Sequence, residues 1–365
     1  MIEGTVAIIC ASGGYTGALQ AGALHPLTTF VSEHKTTITC MAGASVGNLN
    51  AGVLAQGHNN KEINAHAVDL LTIWNMIEDR GPKSVFPLKR RTVIKRVLEP
   101  SMLPSDPLQG LIDGTLLGVK PMDIERIVQS PHRFDVYLMD ETRSKDVTVS
   151  NKDEWIISNP SLLAHAMVAS ASAKPFFPEI AVNGSTFSDS GLIKLGTALR
   201  HGCEFIFVLI PHFPQNTDSS KRRKWLAKTG IIRGLQQNSL RIELDTHKNL
   251  RSAIKEIRLR RASEILHAQQ QEQETRIRRA LEVLEASQHG KGEGLHRALE
   301  ALCTPHGKPD NNLHRRARIF PIFLKGPTAT LKTYTFDKGD ISRALGAGKE
   351  QMEAILEKLE RFFPT

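Results

Sequence analysis

Residues 37 to 56 read Thr-Ile-Thr-Cys-Met-Ala-Gly-Ala-Ser-Val-Gly-Asn-Leu-Asn-Ala-Gly-Val-Leu-Ala-Gln, and this stretch decides the fold. Ile38 to Ala42 is an apolar run suited to a strand, and it stops at Gly43-Ala44-Ser45-Val46-Gly47. An Ala/Leu-rich stretch suited to a helix follows at once. The pattern is G-x-S-x-G in the order strand, sharp turn, helix, which a nucleophile elbow requires. A serine at such an elbow sits in a strained backbone conformation. Its neighbours two residues away must be glycine-sized for the chains to cross there. In return, its Oγ is exposed at the carboxyl end of a sheet, above the positive end of the next helix. A turn of small residues without chemistry is the plainer alternative, and the flanking strand and helix favour the elbow.

Upstream, Thr5 to Cys10 forms a short β-branched run, read as a buried parallel strand. It breaks at Ala11-Ser12-Gly13-Gly14-Tyr15-Thr16-Gly17 and passes into a helical stretch from Ala18 to Leu27. In this order the loop's backbone N–H groups point at whatever sits above it. A dinucleotide loop needs G-x-G-x-x-G and a downstream acid, but here the order is G-G-x-x-G and the next strand ends in a serine. The Gly-Lys-Ser/Thr of a Walker loop is absent. A small anion-stabilising loop remains, and a nucleophilic serine needs donors for a developing oxyanion.

A Gly-rich loop after the first strand, followed by G-x-S-x-G after the next, resembles the patatin-like phospholipases. That family carries D-G-G-G-x-[R/K]-G, then G-x-S-x-G, then D-G-[G/A], whose aspartate pairs directly with the serine. The third motif has a counterpart in Phe187-Ser188-Asp189-Ser190-Gly191, after a short strand from Ser185 to Phe187. Ala169-Ser170-Ala171-Ser172-Ala173-Lys174-Pro175-Phe176-Phe177-Pro178 resembles the small-residue helix end and turn that precede it. Taken alone, Asp189 reads more readily as a turn aspartate capping the Gly191 loop, the commoner fate of such a residue. The resemblance implies a three-layer α/β/α sandwich with a mainly parallel central sheet. It further implies Ser45 as nucleophile, Asp189 as its base, and an oxyanion hole from the N–H groups of Gly13, Gly14 and Val46. Gly17, Gly43, Gly47 and Gly191 are the motif glycines, and neither cofactor nor metal is called for. The sequence departs from the family at Ala11, Ser12, Thr16 and Ser190, with Thr16 standing where the family has a basic residue.

The resemblance implies an acyl hydrolase acting on fatty-acyl esters of lipids or phospholipids. A thioesterase or an acyltransferase would leave the same motifs, and a non-catalytic protein that binds lipid or a partner is the reading from another class. None of the 14 histidines lies in a motif that places it beside Ser45.

At 365 residues the chain is long enough for one large domain with an appendage. The expected organisation is a catalytic core over 1–215, a basic helical segment over 216–290 packed on it, and 291–365 completing the same domain. Four scattered cysteines, Cys10, Cys40, Cys203 and Cys303, without a C-x-x-C pair, read as free thiols of a reducing compartment. Met1 to Thr5 has no basic n-region, and no apolar run approaches the length of a membrane span. A cytoplasmic protein is expected, with peripheral membrane contact as the alternative.

The net charge of +9 lies almost wholly in one segment, since 219–290 holds sixteen Lys and Arg against eight Asp and Glu. Leu250, Ile254, Ile257, Ile265, Ile277, Leu281 and Leu284 trace an apolar stripe there. A helical pair with a solvated basic face is the plainest account. Contact with an anionic membrane surface is the second, and nucleic acid is not expected because no recognition module or aromatic interleaving is present. Lys89-Arg90-Arg91 with Lys95-Arg96 is a smaller basic cluster. Cys303, His306 and His314 fit no common zinc spacing.

The remaining elements follow from periodicity. Lys61 to Arg80 is an amphipathic helix with Trp74 in the core, and Leu162 to Ala173 is a second helix. Phe134 to Met139 and Asp146 to Ser150 form a hairpin turning at Glu141 to Ser144. Phe205 to Ile210 and Ala317 to Phe323 are strands. Two helices close the chain, one opening near Ile341 and one from Lys349 to Phe362.

Overall fold

A computed structural model describes residues 4–85, 104–174, 177–191, 193–212, 318–326 and 336–363. The chain divides into two units, Met1–Thr246 with Ala317–Thr365, and His247–Arg316. The second unit lies outside the described residues. So do the 219–290 segment with its apolar stripe, the Lys89–Arg96 cluster, and Cys303, His306 and His314.

Among the described residues eight strands form one mixed sheet. They are β1 (Thr5–Cys10), β2 (Thr37–Ala44), β3 (Arg133–Asp140), β4 (Lys145–Ser150), β5 (Ile180–Val182), β6 (Ser185–Asp189), β7 (Phe205–His212) and β8 (Arg318–Lys325). The order β3-β2-β1-β7-β8 is parallel throughout. The pairings of β3 with β4, β3 with β6 and β5 with β6 are antiparallel. The β1 run Val6 to Cys10 is buried on both faces, as expected of a central parallel strand.

The described helices are α1 (Gly17–Glu33), α2 (Val46–Ala55), α3 (Asn60–Arg80), α4 (Asp106–Ile112), α5 (Ile124–Gln129), α6 (Glu154–Ser158), α7 (Ser161–Ala171), α8 (Gly196–Arg200) and α9 (Asp340–Leu359). Val6, Ile8 and Cys10 of β1, Phe134 and Val136 of β3, and Phe207 and Leu209 of β7 share one core with α1, α2, α3, α7 and α9. The fold is therefore α/β, with a sheet that is parallel at its centre and flanked by helices. The hairpin of β3 and β4 turns where the sequence places it.

Three elements differ from the sequence expectation. Helix α1 does not stop at Leu27 but runs through Pro26 to Glu33, because Leu27, Phe30 and Val31 bury its second half against the core. That burial outweighs the cost of a proline inside the helix. The two expected C-terminal helices are one helix, α9. Its Gly348 is a packing residue and not a break, since a Cβ there would lie 2.1 Å from the Leu19 carbonyl oxygen. Strand β5 was not expected. It is tied to β6 by Asn183-Gly184, both at positive φ (46° and 77°), as a two-residue hairpin turn requires.

Candidate active site

The site is built by the register of β3. Tyr137 pairs with Ala44, the last residue of β2, and Leu138 pairs with Asp189, the last residue of β6. β4 occupies the opposite edge along Asp135 to Asp140, so β2 and β6 share the remaining edge end to end. β2 is parallel to β3 and β6 antiparallel, so their carboxyl ends face each other across one step of β3. Ser45 follows one end and Asp189 terminates the other. The Ser45 hydroxyl faces the Asp189 carboxylate closely enough to favour its charged form.

Ser45 has φ 54° and ψ −134°, an unfavourable backbone for a residue with a side chain. The two motif glycines show why the chain permits it. A Cβ on Gly43 would lie 2.4 Å from the Asn48 nitrogen, and one on Gly47 would lie 2.4 Å from the Cys10 carbonyl oxygen. Backbone atoms cannot yield to such contacts, so the elbow can close only with glycine on both sides. α2 then begins at Val46, with its positive end at the serine.

Asp189 sits on a cavity wall, yet protein packs around its carboxylate, and that desolvation raises its pKa from 3.8 to about 6. The Ser45 hydroxyl and the Gly191 N–H, 2.7 Å from Asp189 Oδ1, pull the other way. Gly191 adopts φ 63°, which turns its N–H back onto that oxygen.

Ser45 and Asp189 line a cavity of about 900 Å³ together with Ser12, Gly14, Val46 and Gly191. Leu49, Val53, Leu70, Ile73, Ile77, Leu108, Ile112 and Met122 form its apolar wall, and Glu141, Asp146 and Lys174 add charge. Gly13 is buried and lies outside that lining, where a Cβ would meet Thr16 Oγ1 at 2.8 Å. Thr16 takes up the position of the family's basic residue differently. It is buried, and its Oγ1 donates to the Gly13 carbonyl at 2.6 Å, which locks the loop. His66 also lines the cavity, bonded through Nδ1 to Asp69 at 3.1 Å. Among the described residues no histidine is hydrogen-bonded to Ser45.

The sequence reading passed over a buried polar chain under the loop. Gln20 Nε2 donates to the carbonyls of Ala11 and Leu209 at 2.7 and 3.0 Å. Asn50 Nδ2 donates to the Gly17 carbonyl and to Gln20 Oε1, and Trp74 Nε1 donates to Asn50 Oδ1 at 3.0 Å. Trp74 is buried as expected, but it also lines the cavity and helps to hold the glycine loop. A polar residue facing inward on an apolar helix was the available signal. Gln20 and Asn50 both carry it.

A family model described as Patatin-like phospholipase matches residues 8–195, just over half of the chain. The chain belongs to the patatin-like phospholipase family. Its fold is the patatin-like α/β fold. Among solved structures, VipD from Legionella pneumophila is 13% identical, with 96% of this chain and 66% of VipD covered and a TM-score of 0.40. Full-length ExoU from the type III secretion system of Pseudomonas aeruginosa, in complex with full-length SpcU, is 14% identical. The match covers 98% of this chain and 80% of that one, at a TM-score of 0.24. The chain thus spans 66% of the length of VipD. No curated protein matches it. Among the described residues no helix is long and apolar enough to cross a membrane.

Proposed function

We propose that this patatin-like protein is a serine acyl hydrolase that cleaves fatty-acyl esters of lipids. The observation that carries the reading is the Ser45 hydroxyl set against the Asp189 carboxylate on the wall of a largely apolar cavity of about 900 Å³. Asp189, with a pKa of about 6, is mostly ionised at neutral pH yet basic enough to accept the Ser45 proton. Ser45 Oγ attacks the ester carbonyl, and the proton passes to Asp189. As the tetrahedral intermediate collapses, the leaving alcohol takes that proton and the acyl group stays on Ser45. Water activated by the same carboxylate then releases the fatty acid and restores the serine.

The N–H groups of Gly14 and Val46, on the cavity wall with Gly13 behind, are the proposed oxyanion donors. Each such donor commonly contributes about 3 kcal/mol to the transition state. Thr16 locks the loop that presents Gly14, so the missing basic residue does not leave the loop unsupported. The apolar wall suits an acyl chain, and no metal or cofactor enters the scheme. Peripheral contact with an anionic membrane through 219–290 remains part of the proposal on charge alone.

The test is hydrolysis of a p-nitrophenyl ester and of mixed phospholipid vesicles, with released fatty acids identified by mass spectrometry. Ser45→Ala is expected to lose turnover by at least about 10³-fold. It should also resist labelling by a fluorophosphonate probe. Wild-type turnover in purified Ser45→Ala would overturn the reading.

A further inference from the structure

The carboxyl end of α7 touches both partners of the pair. Ser170, fully buried, accepts the Ser45 N–H through Oγ at 3.1 Å and donates the same hydroxyl to the Tyr137 carbonyl at 2.7 Å. Ser45 and Tyr137 stand at the point where β3 passes from β2 to β6. One hydroxyl therefore replaces a direct ladder bond between the two strands and wedges them apart where β2 turns out into the elbow.

Two further bonds come from the same turn of helix. Asn48 Nδ2 bridges the Ser45 carbonyl at 2.6 Å and the Met167 carbonyl at 3.1 Å. The Asp189 N–H donates to the Ser172 carbonyl at 3.2 Å. Both peptide groups of the serine and the N–H of the aspartate are thus referred to one rigid piece of chain, Met167 to Ser172. Met167 to Ser172 are all buried, and such packing holds this helix end in place where an exposed one would fray.

We propose that this end of α7 is the positioning element that sets the approach of Ser45 to Asp189, with Ser170 as the positioning residue. The proposal rests on the dyad reading above. Ser170 touches neither substrate nor reacting atoms; it acts through the backbone of Ser45. Without its hydroxyl the strained Ser45 backbone loses the side-chain brace on its N–H, and the Oγ moves off the carboxylate. A misplacement of about 1 Å in such a site commonly costs 10²-fold in rate.

The experiment compares wild type, Ser45→Ala, Ser170→Ala and Thr36→Val in p-nitrophenyl butyrate hydrolysis. Thermal melts monitor folding. Thr36 is a matched control, a buried hydroxyl bonded to the Val31 carbonyl at 3.0 Å just before the opposite end of β2. Ser170→Ala is expected to lose about 10²-fold in kcat with KM within twofold. Its acid limb should move to higher pH, because Asp189 loses the Ser45 hydroxyl that holds its pKa down. Thr36→Val should keep wild-type kcat.

A kcat within threefold of wild type in folded Ser170→Ala overturns the proposal, and so does an equal loss in Thr36→Val. If Ser170→Ala does not fold, Ser170→Cys, which fills the same space with a poor donor, is read by the same criteria. Wild-type turnover in Ser45→Ala would instead remove the dyad reading on which the proposal stands.

Discussion

Asp135 and Asp189 both lie in the central sheet, three β3 residues apart in register, and burial raises the pKa of each. Their surroundings otherwise differ. Asp135 is fully buried and bonded to Arg133 Nε at 2.9 Å, with the hydroxyls of Ser150 and Thr197 also favouring its charged form. Asp189 opens onto the cavity, and the groups that favour its charge, the Ser45 hydroxyl and the Gly191 N–H, are both neutral. A cation beside a carboxylate makes it a poor base by stabilising the ion. Neutral donors leave it able to take a proton. A raised pKa alone does not mark a base, because structural pairs show it too. The proposed assignment of Asp189 as the base rests on its place beside Ser45 on the cavity wall and on the neutral groups that stabilise its charge.

The largest effect that separates the two is on rate. Asp189→Asn is expected to lower kcat by at least about 10³-fold, within the usual range for a general base. Asp135→Asn should keep it within about threefold. In the wild type, kcat/KM should fall about tenfold per pH unit below about pH 6, because in the proposed mechanism Asp189 is ionised when it accepts the Ser45 proton. Asp135→Asn should preserve that limb. A rate loss in Asp135→Asn comparable to that in Asp189→Asn, with the protein folded, would erase the distinction.

Much of this arrangement is legible in the sequence because sterics dictate it. Gly43, Gly47 and Ser45 are separable from chance by the strand and helix around them, and the backbone contacts at both glycines explain why the pattern is so strict. Strands with continuous β-branched runs, such as Thr5 to Cys10, read correctly for the same local reason. Contacts made by register do not read. That Leu138 pairs with Asp189 one step after Tyr137 pairs with Ala44 depends on how three distant segments align. Thr16 looked like a loss of charge in the sequence, whereas its hydroxyl is a lock on Gly13 whose partner lies three residues back in a folded turn. α9 is one helix and not two because packing against Leu19 needs a glycine at 348, although glycine lowers helix propensity there. Asn183-Gly184 was locally readable as a hairpin turn and would have located β5.

A smaller effect, of opposite sign to the loss of rate, is expected on stability. The Asp189 carboxyl has a higher pKa folded than unfolded. The folded chain therefore keeps its proton while the unfolded chain releases one, and stability falls as pH rises from about 4 to about 6. The rise from 3.8 to about 6 corresponds to a cost of about 3 kcal/mol above that window. Asn does not titrate and can still accept from Gly191. Asp189→Asn should therefore be the more stable protein at pH 8 by up to about 3 kcal/mol, and the gain should vanish by about pH 4. Denaturant melts at the two pH values measure it. An inactive variant that is also more stable is the signature of a strained functional group, whereas equal loss of both would mark Asp189 as structural.

The smallest effect concerns the cation itself. Arg133 is about a quarter exposed, so replacing it with Gln removes the charge beside Asp135 without emptying the core. At pH 8 Asp135 must then either remain ionised with neutral donors only or bind a proton. Either response costs stability, on the order of 1–3 kcal/mol for a buried group stripped of a charged partner. The sign follows from the direction of the pKa. Arg133 lowers it, so its removal raises it further, and the penalty should shrink as pH falls and the carboxyl becomes protonated in any case. The acid limb of catalysis should not move, because Asp135 does not exchange a proton with Ser45. If Arg133→Gln shifts that limb, the two aspartates titrate as one system, and the separation drawn from their partners fails.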